Sequence, residues 1–251
     1  MHPGPAAAAG IITLSIWSVT VPWGLFPHPP VVHMPGMDRR TLLALPLALA
    51  APRVVSPAAA QAPSPALTDR DRADIARVEA WLGALRTMKA RFLQIAQNGA
   101  AAEGTAWIQR PGRMRFEYDP PEPLLLVASY GQFFYFDRQL KQATTLPLSS
   151  TPLGILLRDD VRLSGDVTVG RVERGGGLLR ITVFRTGRAA EGRITLVFND
   201  NPVELRQWAV VDAQAQETRV TLFQPEYGGR FPAILFDFND PRFREELGIP
   251  Q

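Results

Sequence analysis

Residues 107–123 read WIQRPGRMRFEYDPPEP, and this stretch decides the fold. Two short alternating segments, Gly104–Gln109 and Arg113–Tyr118, flank Arg110-Pro111-Gly112. Proline presets φ for a turn and glycine tolerates φ > 0, so the join reads as a tight hairpin corner. The run Asp119-Pro120-Pro121-Glu122-Pro123 lacks the N–H donors that pairing needs, so the second strand must stop there. None of these residues is catalytic by type. The one that stands out is Arg110, a cation set beside aromatic strand positions rather than among acids.

Working outward, the pattern stays that of an antiparallel meander. Lys89–Gln97 has strand character and ends at Asn98-Gly99, a strong hairpin signal. Glu103–Gln109, Arg113–Tyr118, Leu124–Ser129, Gln132–Asp137 and Gln139–Leu146 follow at close spacing. Farther on, Val167–Glu173, Leu178–Phe184, Gly192–Asn199, Glu204–Asp212, Glu217–Gln224 and Ile234–Phe238 alternate or carry β-branched residues. Before the meander, Thr68 or Asp69 caps a helix whose stripe is Ile75, Val78, Trp81, Leu82, Leu85 and Met88. About eleven strands with few helices and no βαβ rhythm predict an α+β fold built on one large curved antiparallel sheet. Residues 61–251 are expected to form a single domain.

Between the two runs of strands lies Ser149-Ser150-Thr151-Pro152. Thr151 can cap and Pro152 suits a first helical position, so Pro152–Arg158 is expected to be a short helix. Leu153, Ile155, Leu156 and Leu157 make it apolar on more than one side. A helix that short is not stable alone. It must lie on an apolar surface, either as a lid or as a plug at the end of the sheet. Phe92, Trp107, Met114, Phe116, Phe134, Phe136, Val183, Phe198 and Leu222 are the candidates for lining one face of the sheet, as ordinary core or as the wall of a cavity.

Composition narrows the function. The net charge is +3, but Arg39, Arg40 and Arg53 against Asp38 fall before residue 61, so the body is near neutral and nucleic acid is not an expected partner. There is no cysteine, and His2, His28 and His33 all precede Met37. Thiolate or imidazole metal sites and most nucleophile–base pairs are therefore absent from the body, and no cofactor is expected. The candidate carboxylates, Glu117 with Asp119, Asp159-Asp160, and Asp237 with Asp240, sit at strand ends and turns where charges are usually solvated. Gly175–Gly177 opens a strand and lacks a following Lys-Ser/Thr, so it is not a phosphate loop. The reading is of a non-enzyme.

Residues 37–60 read as a signal peptide. Met37-Asp38-Arg39-Arg40-Thr41 precedes the apolar Leu42–Ala51, and Ala58–Ala60 supplies small residues for cleavage before Gln61. Arg39-Arg40 permits a twin-arginine route. Residues 1–36 hold no Lys or Arg and seven prolines, the mark of an over-long start with Met37 the true first residue. The competing reading, a membrane anchor over Ile11–Phe26, is short for a span and broken by Pro22 and Gly24.

The order Trp-x-x-Arg-Pro-Gly-x-x-Arg-Phe-x-Tyr-x-x-Pro over Trp107–Pro121, then Ser129–Asp137, Leu140-Lys141-Gln142 and Thr151-Pro152-Leu153, resembles the LolA family of periplasmic lipoprotein carriers. The likeness runs roughly from Val78 to Phe238. It implies an incomplete β-barrel whose helices cover the concave apolar face as a lid. It also implies a chaperone that carries acylated lipoproteins from an inner-membrane lipoprotein-releasing ABC transporter to an outer-membrane receptor, and a monomer. The receptor of that pathway is a lipid-anchored relative, and the missing cysteine argues against that role here. By resemblance, Arg110 is the latch of the lid. Its guanidinium offers five donors in a rigid fork, suited to the free carbonyls at a helix C-terminus. Read from the residues alone, Arg110 is a surface corner residue before it is a latch, and Arg113, Arg115 and Arg158 stand close enough in the pattern to compensate for it. A lipid-binding or lipoprotein-sensing protein of the same fold with other cargo is the alternative function.

N-terminal sequencing of chain recovered from periplasm is expected to begin near Gln61. Recovery of Met1, or of Ile11–Phe26 in the membrane fraction, would contradict the signal reading.

Overall fold

The computed structural model describes residues 66–248; the expectations for residues 1–36 and 37–60 fall outside them. The helix α1 spans Asp69–Ala84. Its start is fixed by a capping box, in which the Thr68 hydroxyl accepts from the Asp71 N–H while the Asp71 carboxylate accepts from the Thr68 N–H at 2.9 Å. Strands β1 (Thr87–Ala96), β2 (Ala101–Gln109), β3 (Arg113–Tyr118), β4 (Leu124–Ser129), β5 (Gln132–Asp137) and β6 (Gln142–Pro147) follow as a meander. After the connection 148–166 come β7 (Val167–Gly175), β8 (Leu178–Arg185), β9 (Gly192–Asn199), β10 (Glu204–Asp212) and β11 (Glu217–Tyr227).

All eleven strands form one sheet in the order β6-β5-β4-β3-β2-β1-β11-β10-β9-β8-β7. Every neighbour pair is antiparallel, and β1 and β11 pair at its centre. The sheet is open, with β6 and β7 as its edges. This order has a consequence for the connection 148–166. It leaves one edge of the sheet and must arrive at the other, and the burial of its Leu153, Ile155, Leu156 and Leu157 beside Phe92, Phe116 and Trp208 shows that it runs over the concave face.

That face is the main core. Alternation points Phe92 of β1, Met114, Phe116 and Tyr118 of β3, Phe198 of β9, Trp208 of β10 and Leu222 of β11 to one side, beneath Val78 and Leu82 of α1. The Phe92 ring lies tilted 4.9 Å from that of Phe116, and Phe116 meets Trp208 edge-on at 5.9 Å. Gly104 makes this possible, because a Cβ there would lie 2.2 Å from the Glu117 carbonyl oxygen and 2.6 Å from the Phe92 ring.

Two local expectations are corrected. Residues 152–158 are not an α-helix: Pro152–Ile155 is a 3-10 turn, with i→i+3 bonds such as Leu156 N–H to Leu153 C=O at 2.9 Å, and a second such turn, Leu148–Ser150, precedes it. Gly154 packs so close to the Leu148 carbonyl that a Cβ would sit 2.5 Å from its oxygen, which folds the two turns onto each other. Residues 234–238 are not a strand either. Ala233–Phe236 is a 3-10 turn, and a short helix α2 follows at Pro241–Glu246.

These C-terminal elements cover the convex face of β3–β5. Phe236, Phe238 and Phe243 pack on Leu125, Val127, Phe134 and Phe136 in a second cluster, with Phe134 and Phe238 stacked at 5.0 Å. The β4 run Leu124–Val127 is buried on both sides, as its unbroken apolar sequence requires.

Gly104→Val is expected to destabilise the protein by about 1–3 kcal/mol through overpacking against Phe92 and the β3 backbone. A urea unfolding curve coinciding with wild type would show that this contact is not tight.

Candidate functional site

The site is the seam where Arg110 meets the two covers of the concave face. Arg110 is only 5% exposed although it belongs to a hairpin corner. Its backbone N–H donates to the Arg86 carbonyl at 2.8 Å, just past the end of α1, which aims the side chain inward. The guanidinium then uses all its donors on carbonyls. Nη1 donates to Leu82 and, at 3.1 Å, to Leu85; Nε donates to Arg158 at 3.0 Å; Nη2 donates to Arg158 and, at 3.1 Å, to Asp159.

The chemistry of this arrangement follows from α1. The last carbonyls of a helix have no partner inside it and carry the negative end of the dipole. The last turn of α1 contains no basic residue of its own. Arg110 supplies that charge from another element and, with the same planar group, holds the end of the 148–166 connection. Next to it, the Gly112 N–H donates to the Leu157 carbonyl at 2.8 Å. Burial, and then the neighbouring Arg86 cation, push the Arg110 guanidinium down from its ordinary value, with Asp159 and Asp160 acting the other way. An arginine stays charged under such shifts.

The two covers are held differently elsewhere. At its N-terminal half, α1 is clamped to the sheet by ion pairs. Arg174 of β7 reaches Asp74 at 2.6 Å and Asp71 at 2.8 Å, and Arg77 joins Asp74 at 2.7 Å to Asp200 at 3.0 Å. Asp74 is 7% exposed. Burial alone would raise its carboxyl, but hydrogen bonds from Arg174 and Arg77 outweigh this and hold it below the ordinary aspartate value. The Thr68 backbone and hydroxyl, then Arg174, hold Asp71 down to about 2. Glu79 accepts from the Leu163 N–H at 2.6 Å, tying the far end of the connection to α1.

Beneath the covers, Gln94, Met114, Phe116, Tyr118, Leu126, Leu153, Trp208 and Val220 surround a cavity of about 20 Å³. That is room for about one water molecule. The buried Tyr118 hydroxyl donates to Gln94 Oε1 at 2.7 Å, and burial pushes the phenol up. The chain's own side chains leave this cavity too small for an acyl chain.

The residues named from sequence divide between the two faces. Phe92, Met114, Phe116, Val183, Phe198 and Leu222 lie in the concave core with Leu153, Ile155, Leu156 and Leu157. Trp107, Phe134 and Phe136 do not. They pack on the convex face under the C-terminal segment, because Phe133 is the inward aromatic of β5 and Ala106 and Ile108 are the inward neighbours of Trp107 on β2. Nor do the neighbouring arginines stand ready to replace Arg110. Arg115 points to the convex face, paired with Glu117 at 2.9 Å, donating to the Leu235 carbonyl and lying over the Phe243 ring. Strand alternation sends Arg113 the same way. The Arg158 side chain pairs with Asp166, and only its carbonyl meets Arg110. Trp208 and the Arg174 clamp were missed. Trp208 lies at an inward register of an alternating strand and was legible; the clamp joins residues 100 apart and was not.

The fold and site define a class: an open antiparallel half-barrel whose concave apolar face is covered by a helix and a crossing connection tied together through one arginine. Residues 83–239 match the family described as "Outer membrane lipoprotein carrier protein LolA", and the chain belongs to that family. It is 32% identical over 173 residues to an outer-membrane lipoprotein carrier protein of Legionella pneumophila (strain Lens), covering 64% of this chain and 83% of that one. A protein of the same description from Azotobacter vinelandii is 26% identical over 180 residues, covering 68% of this chain and 86% of its own. Among solved structures, a LolA superfamily protein from Nitrosomonas europaea aligns at a TM-score of 0.40 and 10% identity, covering 69% of this chain and 99% of the other.

The acid behaviour of the clamp has a definite sign. A depressed carboxyl contributes stability that is present above its unfolded value, near 3.9, and is lost as pH falls through the folded value. For Asp71 the window runs from about 4 down to about 2, and the contribution of Asp74 is likewise lost as pH falls below the ordinary aspartate value. Asp74→Asn is expected to be less stable at neutral pH and to lose less stability than wild type across that window. An unchanged acid slope in chemical denaturation would show that the clamp contributes nothing.

Proposed function

We propose that this chain is a periplasmic chaperone that carries acylated lipoproteins between the inner and outer membranes. On this reading the acyl chains lie on the concave face, in the place now taken by the side chains of the connection. The observation that carries it is the hydrogen bonding of Arg110 to both covers over a concave apolar face occupied by the connection's own leucines. Such a site can admit cargo only by exchanging its own contacts for those of the cargo. Membership of the carrier family and the names of its relatives support the cargo class.

The magnitudes make the exchange reversible. Exposing four buried aliphatic side chains, Leu153, Ile155, Leu156 and Leu157, costs about 6–12 kcal/mol at 1.5–3 each. An acyl chain gains about 0.8 kcal/mol per buried CH₂, so roughly a dozen methylenes offset the loss. Near balance is what a carrier needs, since it must load and unload. The same reading makes an inner-membrane lipoprotein-releasing ABC transporter the donor and an outer-membrane lipoprotein receptor the acceptor. Residues 37–60 serve as the cleaved export signal.

If Arg110 is the latch, Arg110→Leu removes charge-assisted hydrogen bonds worth about 1.5–3 kcal/mol from the covered form. Affinity for a fluorescent triacylated lipopeptide is then expected to rise by about ten- to hundredfold, tenfold for each 1.4 kcal/mol. Release to an acceptor should slow correspondingly. Arg110→Lys, which lacks the planar fork, should fall between the two. A folded Arg110→Leu variant that binds no tighter than wild type would return Arg110 to the role of a corner residue.

A further inference from the structure

The carrier reading leaves open which cover moves and where cargo enters. The restraints on the two covers are unequal. α1 is fixed at one end by Arg110 and at the other by the Arg174–Asp74–Arg77 clamp. The C-terminal part of the connection is fixed by Arg110, by the Gly112 N–H on Leu157, and by Glu79. Its N-terminal part, 148–156, is not tied in this way. Outside its own two turns, it is held by the Leu148 N–H on the Gly131 carbonyl at 2.8 Å and by Arg185 of β8, which donates to the Ser149 carbonyl.

The Arg185 contact spans the open seam of the sheet. Edge strands β6 and β7 do not pair, and Arg185 reaches from the β7–β8 side to the chain just beyond β6. At this seam is a cleft of about 380 Å³, floored by Leu148, Ile155, Leu157 and Val167 and rimmed by Arg158 and Arg185. That volume is within the range of ligand sites. The wall between cleft and interior is the turn 152–157 itself, for Leu153 lines the interior cavity while Ile155 and Leu157 line the seam. A second cleft, of about 480 Å³, lies between α1 and β7. Its α1 wall is the clamped helix, so widening it means breaking buried ion pairs.

We infer that acyl chains enter through the seam between residues 148–157 and β7, that α1 stays seated during loading, and that Arg185 guards this entrance. The inference rests on the carrier reading and deepens it. An apolar floor accepts the chains, while the arginine rim presents donors to the ester and amide carbonyl oxygens at the head of a lipoprotein's acyl group. Entry frees the Arg185 donor from Ser149 and offers it the cargo's oxygens instead. The exchange keeps the guanidinium bonded throughout and needs no helix to unseat.

The test uses hydrogen–deuterium exchange of the otherwise unaltered chain, with and without the triacylated lipopeptide, binding being established first by the probe's fluorescence. Loading is expected to speed exchange in 148–157, and to leave 72–84 and the Leu163 N–H held by Glu79 as protected as before. Faster exchange in α1 on loading would overturn the inference while leaving the carrier reading intact. Absence of lipopeptide binding would overturn both. Arg185→Ala is expected to speed lipopeptide loading by about five- to tenfold, with Arg185→Lys intermediate, and not to tighten binding, because the bond to Ser149 is exchanged for one to the cargo. Equal loading rates in wild type and Arg185→Ala would remove Arg185 as the guard.

Discussion

One guanidinium, buried at a hairpin corner, supplies the charge that the C-terminal end of α1 lacks and the donors that the crossing connection needs. The covers of the concave face depend on it. Without Arg110, the Leu82, Leu85, Arg158 and Asp159 carbonyls would compete for water in a place that burial keeps dry. A carboxylate partner would have locked the arginine permanently, because breaking a buried ion pair costs several kcal/mol. Backbone carbonyls are weaker acceptors and can turn to water when the connection lifts. On the carrier reading, such a contact holds the connection as a lid and still lets it open.

The strand order makes such a contact necessary. Placing β1 beside β11 at the centre of the sheet leaves β6 and β7 as opposite edges, joined in sequence by residues 148–166. A connection forced across the concave face will bury whatever apolar residues it carries, and here it carries Leu153, Ile155, Leu156 and Leu157. The convex face is solved differently. Its apolar half, over β3–β5, is capped by the C-terminal segment through Phe236, Phe238, Phe243 and the Arg115 contacts. One sheet therefore has a fixed cover on one side and a cover tied by carbonyl contacts on the other.

Much of this was legible in the chain. Alternation through Arg113–Tyr118 placed Met114 and Phe116 on a common face, the Pro-Gly corner located Arg110, and the turn residues placed the strands. Three things were not legible, for physical reasons. Gln132–Asp137 has aromatics at both parities, so its period cannot say that Phe133 turns inward while Phe134 and Phe136 turn outward. The apolar run Leu124–Val127 does signal burial on both sides, but not what does the burying. Finally, the acceptors for Arg110 are main-chain oxygens, which leave no side-chain signature at all. The LolA likeness named the arginine; its four carbonyl partners came from the coordinates.

The central claim is that acyl chains take the place of the connection's leucines on the concave face. Residues 61–251 contain Trp81, Trp107 and Trp208, and the last two mark opposite faces of the sheet. Two variants, one retaining only Trp208 and the other only Trp107, can be titrated with a lipopeptide whose acyl chains are brominated near the end, since bromine quenches indole only on close approach. Strong quenching of Trp208 with Trp107 unaffected is the expected result. Saturable binding that quenches Trp107 and spares Trp208 would place the lipid on the convex face and contradict the account.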